Sequence, residues 1–319
     1  MTNVLPLASI RCLAYNQEQY IRQCLDGFVM QKTNFPFEII VHDDASTDNT
    51  ANIIREYAEK YPNIHVILET ENQYSKHDGS LARIVNQAVQ GKYVALCEGD
   101  DYWIDPYKLQ KQVDFLENHQ EYAMVYTSSK IYDQTKCKME NDLIGFSFKD
   151  FNDLLVRNRI PTLTTCIRTN IIMEYTNDVK PEQHNWLMGD YPMWLWIAYH
   201  YKIKFFPEAT TVYRHQTESA CHSRDLQKQE KFALSVIDIT TFYIRKFNIV
   251  PPKEYWETIN STYFHYYDLY THKGNFKKAI YYAKIIKPNF TTRRMRKKIR
   301  LFPFRYIKFM IRSIFSNHL

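Results

Sequence analysis

Glu98-Gly99-Asp100-Asp101 places three carboxylates in four positions, directly behind the apolar run Tyr93-Val94-Ala95-Leu96-Cys97. Like charges that close repel and raise one another's pKa, so such a turn needs open water or a positive partner. No Lys or Arg follows Lys92 until Lys108, so sequence neighbours do not neutralise it. A hard divalent cation would. Mg²⁺ or Mn²⁺ takes carboxylate oxygens and keeps positions open for substrate phosphates. Glu98, Asp100 and Asp101 are therefore the candidate metal ligands, on a tight turn around Gly99. A second acid pair, Asp43-Asp44, ends another apolar run and leads into Ala45-Ser46-Thr47-Asp48. That stretch suits an Asx-turn and a helix cap. Ser46 or Asp48 could supply the cap, which leaves Asp44 free to accept from a nucleobase N–H or a ribose hydroxyl.

Two later stretches carry further candidates. Asp190 stands just before the aromatic segment "YPMWLWIAYH". It suits an N-cap with Pro192 in the first turn. It also suits a general base, because an apolar wall raises a carboxylate's pKa toward a useful value. The segment "VYRHQTESACHS" holds Arg214, His215 and His222. Arg214 would suit a diphosphate or an acceptor anion, and the histidines are candidates for metal or phosphate contact.

The elements that must position these groups alternate strand and helix. Residues 7–15, 37–44, 64–69 and 93–97 read as apolar strands, and 16–31, 46–62 and 79–91 as helices. Apolar strands separated by helices predict an α/β fold with a mostly parallel sheet covered on both faces. In such sheets ligands sit outside the carboxyl ends of the strands. Both acid clusters occupy those ends. Asp105-Pro106 opens a predicted helix to about His119, with Asp as N-cap. Residues 120–225 read as mixed, with "AMVYTSS", "TLTTCI", "IKFF" and "TTVYR" as strands and "YPMWLWIAYHY" as a helix. From about Asp225 the pattern is helical only, including a hairpin that turns at Lys273-Gly274-Asn275. The expected division is a domain over 1–225, a helical extension over 226–290, and a basic tail over 291–319.

Composition narrows the classes. The chain has 319 residues and only 7 Gly, no two of them spaced as GxG. That removes the dinucleotide fingerprint and the P-loop. Cys12, Cys24, Cys97, Cys137, Cys166 and Cys221 form no CxxC pair, so neither a zinc site nor a disulfide framework is expected. The N-terminus has no basic region and too short an apolar stretch for a signal peptide, and no run approaches 18 apolar residues. A cytoplasmic protein is expected. The net charge of +6 is uneven. Residues 291–319 carry nine cations and no acid, so the remainder is at −3. Phe302, Phe304, Tyr306, Phe309 and Phe315 interleave with those cations, as in a basic segment lying in a membrane interface. Core packing and nucleic-acid binding are the other readings of such a stretch. The expected partner is the cytoplasmic face of the inner membrane, and no nucleic acid.

The ordered blocks "AYNQEQYIRQCLDGFVMQ", "FEIIVHDDASTDNT", "YVALCEGDDYWIDPYKLQKQVDFL", "MGDYPMWLWIAYH" and "VYRHQTESACHS" resemble a family-2 glycosyltransferase of the GT-A fold, over roughly residues 4–225. The resemblance implies a nucleotide-diphospho-sugar donor, usually UDP-linked, and inversion at the anomeric carbon. It implies that Asp44 holds the nucleoside base with Ala14 and Tyr15 flanking it, Asp43 beside them. Glu98 and Asp100 would form the DxD-type pair around Gly99, with Asp101 following, on Mn²⁺ or Mg²⁺. Asp190 would deprotonate the hydroxyl of a glycan or lipid-linked acceptor. Many relatives carry a His two residues after the Arg of the last block; here that position is Gln216, with His215 one step earlier. A nucleotidyltransferase of similar fold would normally show a Gly-rich basic loop, which "ASIRCLAYN" lacks. A non-catalytic membrane-associated assembly subunit would be expected to lose the carboxylates, and all are present.

Overall fold

The computed structural model describes residues 5–216, 223 and 225–302. In chain order the elements are β1 (Ala8–Ala14), α1 (Ile21–Val29), β2 (Phe37–Asp43), α2 (Thr50–Lys60), β3 (Ile64–Leu68), α3 (Ser80–Ala88), β4 (Tyr93–Glu98) and β5 (Tyr102–Trp103). There follow α4 (Lys108–Asn118), β6 (Tyr122–Asp133), β7 (Lys138–Ile144), α5 (Phe151–Val156), β8 (Cys166–Arg168), α6 (Thr169–Val179), α7 (Tyr191–His200) and β9 (Lys202–His215). The last four are helices: α8 (Leu226–Lys246), α9 (Lys253–His272), α10 (Phe276–Ile285) and α11 (Arg293–Arg300). The chain divides into two units, residues 1–224 and 225–319.

In the first unit the described strands form one sheet in the order β3-β2-β1-β4-β8-β6-β9-β5, with β7 added to β6. The pairs β1–β2, β1–β4, β2–β3 and β6–β9 are parallel. Strand β8 runs antiparallel to both β4 and β6 and joins the two halves. The mostly parallel sheet covered by helices is the architecture the alternating pattern predicts. Helix α1 buries Ile21, Cys24, Leu25 and Phe28, the apolar stripe visible in its sequence. Helix α7 differs, because Tyr191 through Ile197 are all buried. An apolar helix of that kind belongs inside the fold, and it packs on α5, α6 and β9.

Two local expectations are corrected. The helix expected from Asp105 starts at Lys108; Asp105 instead accepts from the Tyr107 N–H at 2.9 Å and pairs with Lys111 at 2.8 Å. The strand expected over "TLTTCI" is a single 3₁₀ turn, Thr162–Thr164, followed by the short β8. There Thr164 and Thr165 donate their hydroxyls back to the carbonyls of Pro161 and Thr162, which favours a turn over a ladder.

In the second unit α9 and α10 pack together across Lys273-Gly274-Asn275, with Gly274 at φ 73°. The tail is not wholly separate from this unit. Ile299 and Phe302 pack on its tyrosine-rich core, and the Lys298 carbonyl accepts from the Tyr267 hydroxyl. Tail residues beyond Phe302 lie outside the described residues.

Gly27 shows how tightly the site's surroundings are built. A Cβ there would lie 2.8 Å from the Trp103 nitrogen and 2.9 Å from its carbonyl oxygen. Helix propensity alone favours Ala over Gly by about 1 kcal/mol. Overpacking against backbone opposes it by about 1–3 kcal/mol. Gly27→Ala should therefore lower the thermal unfolding midpoint. An unchanged or raised midpoint would mean that α1 moves off β5 without cost.

Candidate active site

Strands β1, β2 and β4 lie side by side and end together, at Ala14, Asp43 and Glu98. The loops beyond β1 and β2 are stitched by side chains. The Asn16 N–H donates to Ser46 Oγ at 2.9 Å, the Thr47 N–H to Asn16 Oδ1 at 2.7 Å, and the Gln17 N–H to Thr50 Oγ1 at 2.7 Å. Asn16 at φ 52° and Ala45 at φ 61° hold left-handed backbone here, which non-glycine residues rarely adopt.

Both members of the first acid pair are buried. Asp43 accepts from the Ser46 N–H at 3.1 Å and from its hydroxyl, which fixes the turn. Asp44 accepts from the Gln73 N–H at 2.7 Å and the Tyr74 N–H at 3.0 Å. Its carboxylate thus holds the loop after β3, with lone pairs left over for a third donor. The Asp44 N–H donates to the Ala14 carbonyl at 2.9 Å, which brings Tyr15, 48% exposed, beside it.

The acid turn is packed on protein. A Cβ at Gly99 would sit 2.4 Å from Gln17 Oε1 and 2.9 Å from Ile21 Cδ1, so these side-chain ends would have to shift. Burial, then the Asp100 and Asp190 carboxylates, push Glu98 up to about 7 against the opposing charge of Arg11. Burial raises Asp100 as well, with Arg214 opposing. Burial, with Asp100 and Glu98 adding repulsion, holds Asp101 well above the usual carboxylate range. The positive partners absent from the local sequence thus come from β1 and β9. Burial in turn lowers the Arg11 guanidinium to about 10, and its Nη1 donates to Asn86 Oδ1 at 2.6 Å.

The expected three-acid metal set is not what the turn presents. Asp101 points inward and accepts from the Arg214 N–H at 2.7 Å. Among the described residues no three His, Cys, Asp or Glu side chains form a group that could hold a metal. Glu98 and Asp100 remain as a pair of oxygen donors crowded by repulsion. One or two carboxylates are what Mg²⁺-type sites use when phosphates complete the shell, so this pair fits such an ion.

Asp190 is brought near β4, because the 3₁₀ turn Thr162–Thr164 that it bonds packs on that strand, and its charge bears on Glu98. It caps α7, its Oδ1 accepting from the Tyr191 N–H at 2.6 Å. Its Oδ2 accepts from the Thr162 hydroxyl at 2.6 Å. Thr162 was not legible as a site residue because it acts from the unexpected 3₁₀ turn. Gln216 Nε2 donates to Asp100 Oδ2 at 2.9 Å, so the amide in the relatives' His position faces the acid turn. Arg214, expected on a diphosphate, directs its donors into the protein. His215 ends β9, and His222 lies outside the described residues.

Comparison with known proteins bears on the family and the fold. The family model "Glycosyl transferase family 2" matches residues 9–178, more than half of the chain. An uncharacterised protein of Mycobacterium bovis is 36% identical over 218 residues, 67% of this chain and 60% of that protein. The putative teichuronic acid biosynthesis glycosyltransferase TuaG of Bacillus subtilis is 31% identical over 183 residues, 56% of this chain and 68% of TuaG. Among solved structures, S. aureus TarS 1-349 in complex with UDP-GlcNAc superposes with a TM-score of 0.62 at 16% identity, covering 94% of this chain and 88% of that one. The mannosyltransferase PcManGT of Pyrobaculum calidifontis, in complex with GDP-Man and Mn²⁺, gives 0.54 at 15% identity, covering 98% and 88%. The fold is of the GT-A type, and the chain belongs to glycosyl transferase family 2. It spans about 60% of the length of its mycobacterial relative.

The raised Glu98 pKa has a measurable consequence. A carboxyl group with a folded pKa above its unfolded value stabilises the fold at low pH. That contribution is lost as pH rises from about 4.5 through about 7. In chelator, Glu98→Gln should melt higher than wild type at pH 8, and the gap should close toward pH 5. Parallel melting curves across that window would contradict a half-buried, repelled Glu98.

Proposed function

We propose that the chain is an inverting glycosyltransferase. It moves a sugar from a nucleoside-diphosphate donor, UDP-linked, to a hydroxyl of a glycan or lipid-linked acceptor. The observation that carries this is that Asp190, bonded to Thr162 of the 3₁₀ turn that packs on β4, stands near the strand that ends in Glu98. Family membership and the GT-A fold support it. The likeness to TuaG, named for teichuronic acid biosynthesis, supports a place in cell-surface polysaccharide synthesis.

Asp44, Ala14 and Tyr15 form the nucleoside end, where a base N–H finds a fixed carboxylate beside an exposed aromatic ring. Glu98 and Asp100 would hold Mn²⁺ or Mg²⁺, which when bound neutralises charge on a diphosphate leaving group. Asp190 accepts the acceptor hydroxyl's proton as that oxygen attacks the anomeric carbon. The bond from that carbon to the diphosphate oxygen breaks, and the nucleoside diphosphate departs with the electron pair. Thr162 and the Tyr191 N–H hold the base in place, and attack opposite the leaving group inverts the centre.

Incubation with a panel of nucleotide sugars and Mn²⁺ should give slow hydrolysis of one donor, and no turnover of any would count against the reading. Asp190→Asn keeps the capping oxygen, so stability should change by under about 1 kcal/mol. Loss of the base should reduce transfer by about 10²- to 10⁴-fold with UDP affinity intact. A normal transfer rate would leave Asp190 as a cap only.

We further infer that the basic tail holds the enzyme at anionic membrane surfaces. On α11, Arg293, Arg294, Arg296, Lys297 and Arg300 are exposed. Each cation near such a surface contributes about 1 kcal/mol. Among the described residues no helix is long and apolar enough to cross a membrane. Changing these five to Gln should abolish salt-sensitive binding to anionic liposomes and leave Ile299 and Phe302 packed. Undiminished binding would remove the helix from that role.

A further inference from the structure

Arg214 is only 7% exposed, and every nitrogen of its guanidinium has an acceptor within the protein. Nε donates to the Asp100 carbonyl at 2.7 Å, Nη1 to Gln134 Oε1 at 3.0 Å, and Nη2 to Gln23 Oε1 at 2.6 Å. Its Cζ lies 4.8, 5.2 and 5.5 Å from the ring centroids of Tyr20, Tyr102 and Tyr132. Its main-chain N–H holds Asp101 Oδ1 at 2.7 Å. One residue therefore grips the acid turn twice, through a backbone carbonyl and through a carboxylate, and ties it to α1 and to the end of β6.

We propose that Arg214 is a positioning residue, setting the Glu98–Asp100 pair for a divalent cation without touching the donor's phosphates. The proposal rests on the donor reading above. Turning its fork bidentately onto a phosphate would cost hydrogen bonds already made to protein and contact with three aromatic faces. With the Asp100 carbonyl and the Asp101 side chain both fixed, the backbone between them has little freedom. The Asp100 carboxylate is then aimed by its own side-chain torsions and by the Gln216 amide. Lysine cannot replace this grip, because an ammonium on a flexible stem does not reproduce the planar fork that meets three acceptors at once.

The test compares wild type with Arg214→Lys, measuring UDP binding by calorimetry in Mn²⁺ and in EDTA, alongside thermal melts. Outer-shell partners of metal ligands typically alter metal affinity by about 10- to 100-fold. Arg214→Lys should accordingly weaken UDP binding in Mn²⁺ by about tenfold or more, with binding in EDTA within about twofold of wild type. Equal weakening in both media would mean that the guanidinium meets the phosphates, and unchanged binding in Mn²⁺ would make it idle; either overturns the proposal. If Arg214→Lys shows no cooperative melt, Gln134→Ala, which removes one acceptor of the fork, decides by the same comparison with a smaller expected loss. A wild type that binds UDP equally in both media overturns the metal-dependent donor reading and this proposal together. A Mn²⁺-dependent wild type with the wrong pattern in the variants overturns this proposal alone.

Discussion

Three carboxylates on one turn, Asp101 buried and Glu98 and Asp100 half-buried, carry a high electrostatic cost, and the arrangement around the site is shaped by how that cost is met. Asp101 is turned inward onto a main-chain N–H of β9, which satisfies it but does not neutralise it. Arg214 and Arg11 approach from opposite sides of the sheet order and supply charge from a distance in sequence. Glu98 and Asp100 stay under-compensated. On the proposed reading, a divalent cation would supply the compensation that the fold leaves out.

The loops beyond β1 and β2 solve a different problem. Loops at strand ends expose backbone groups that the sheet no longer pairs. Here short polar side chains take them up: Asn16, Ser46, Thr50, Asp43 and Asp44 each accept main-chain N–H groups. The cost is positive φ at Asn16 and Ala45. Such strain gathers where a surrounding network over-determines it, and the cross-stitched loops are that network. Asp190 is placed by the reverse logic. Helix α7 is buried from Tyr191 to Ile197, so its polar N-cap, Asp190, marks where the helix emerges.

The helical unit has its own buried charge. Burial would raise Glu230, but hydrogen bonds from Lys278, Tyr270 and Tyr282 outweigh it and hold the carboxylate below its usual range. One acid on α8 thereby joins α9 and α10, in a core of tyrosines whose hydroxyls need partners.

The sequence alone determined the strand–helix alternation, the parallel half of the sheet, and the acid groups at its carboxyl edge. These follow from local periodicity and from apolar runs that have to be buried on both faces. The cap at Asp190 was legible for the same reason, because capping chemistry is local. Tertiary structure alone decided which acids face the site. Asp101 and Asp100 are neighbours in sequence, but one meets an N–H 113 residues away and the other an amide 116 residues away. Arg11, Thr162 and the cage around Arg214 were hidden likewise, since charge compensation acts through space, and spacing along the chain does not record which distant strand a folded turn will meet.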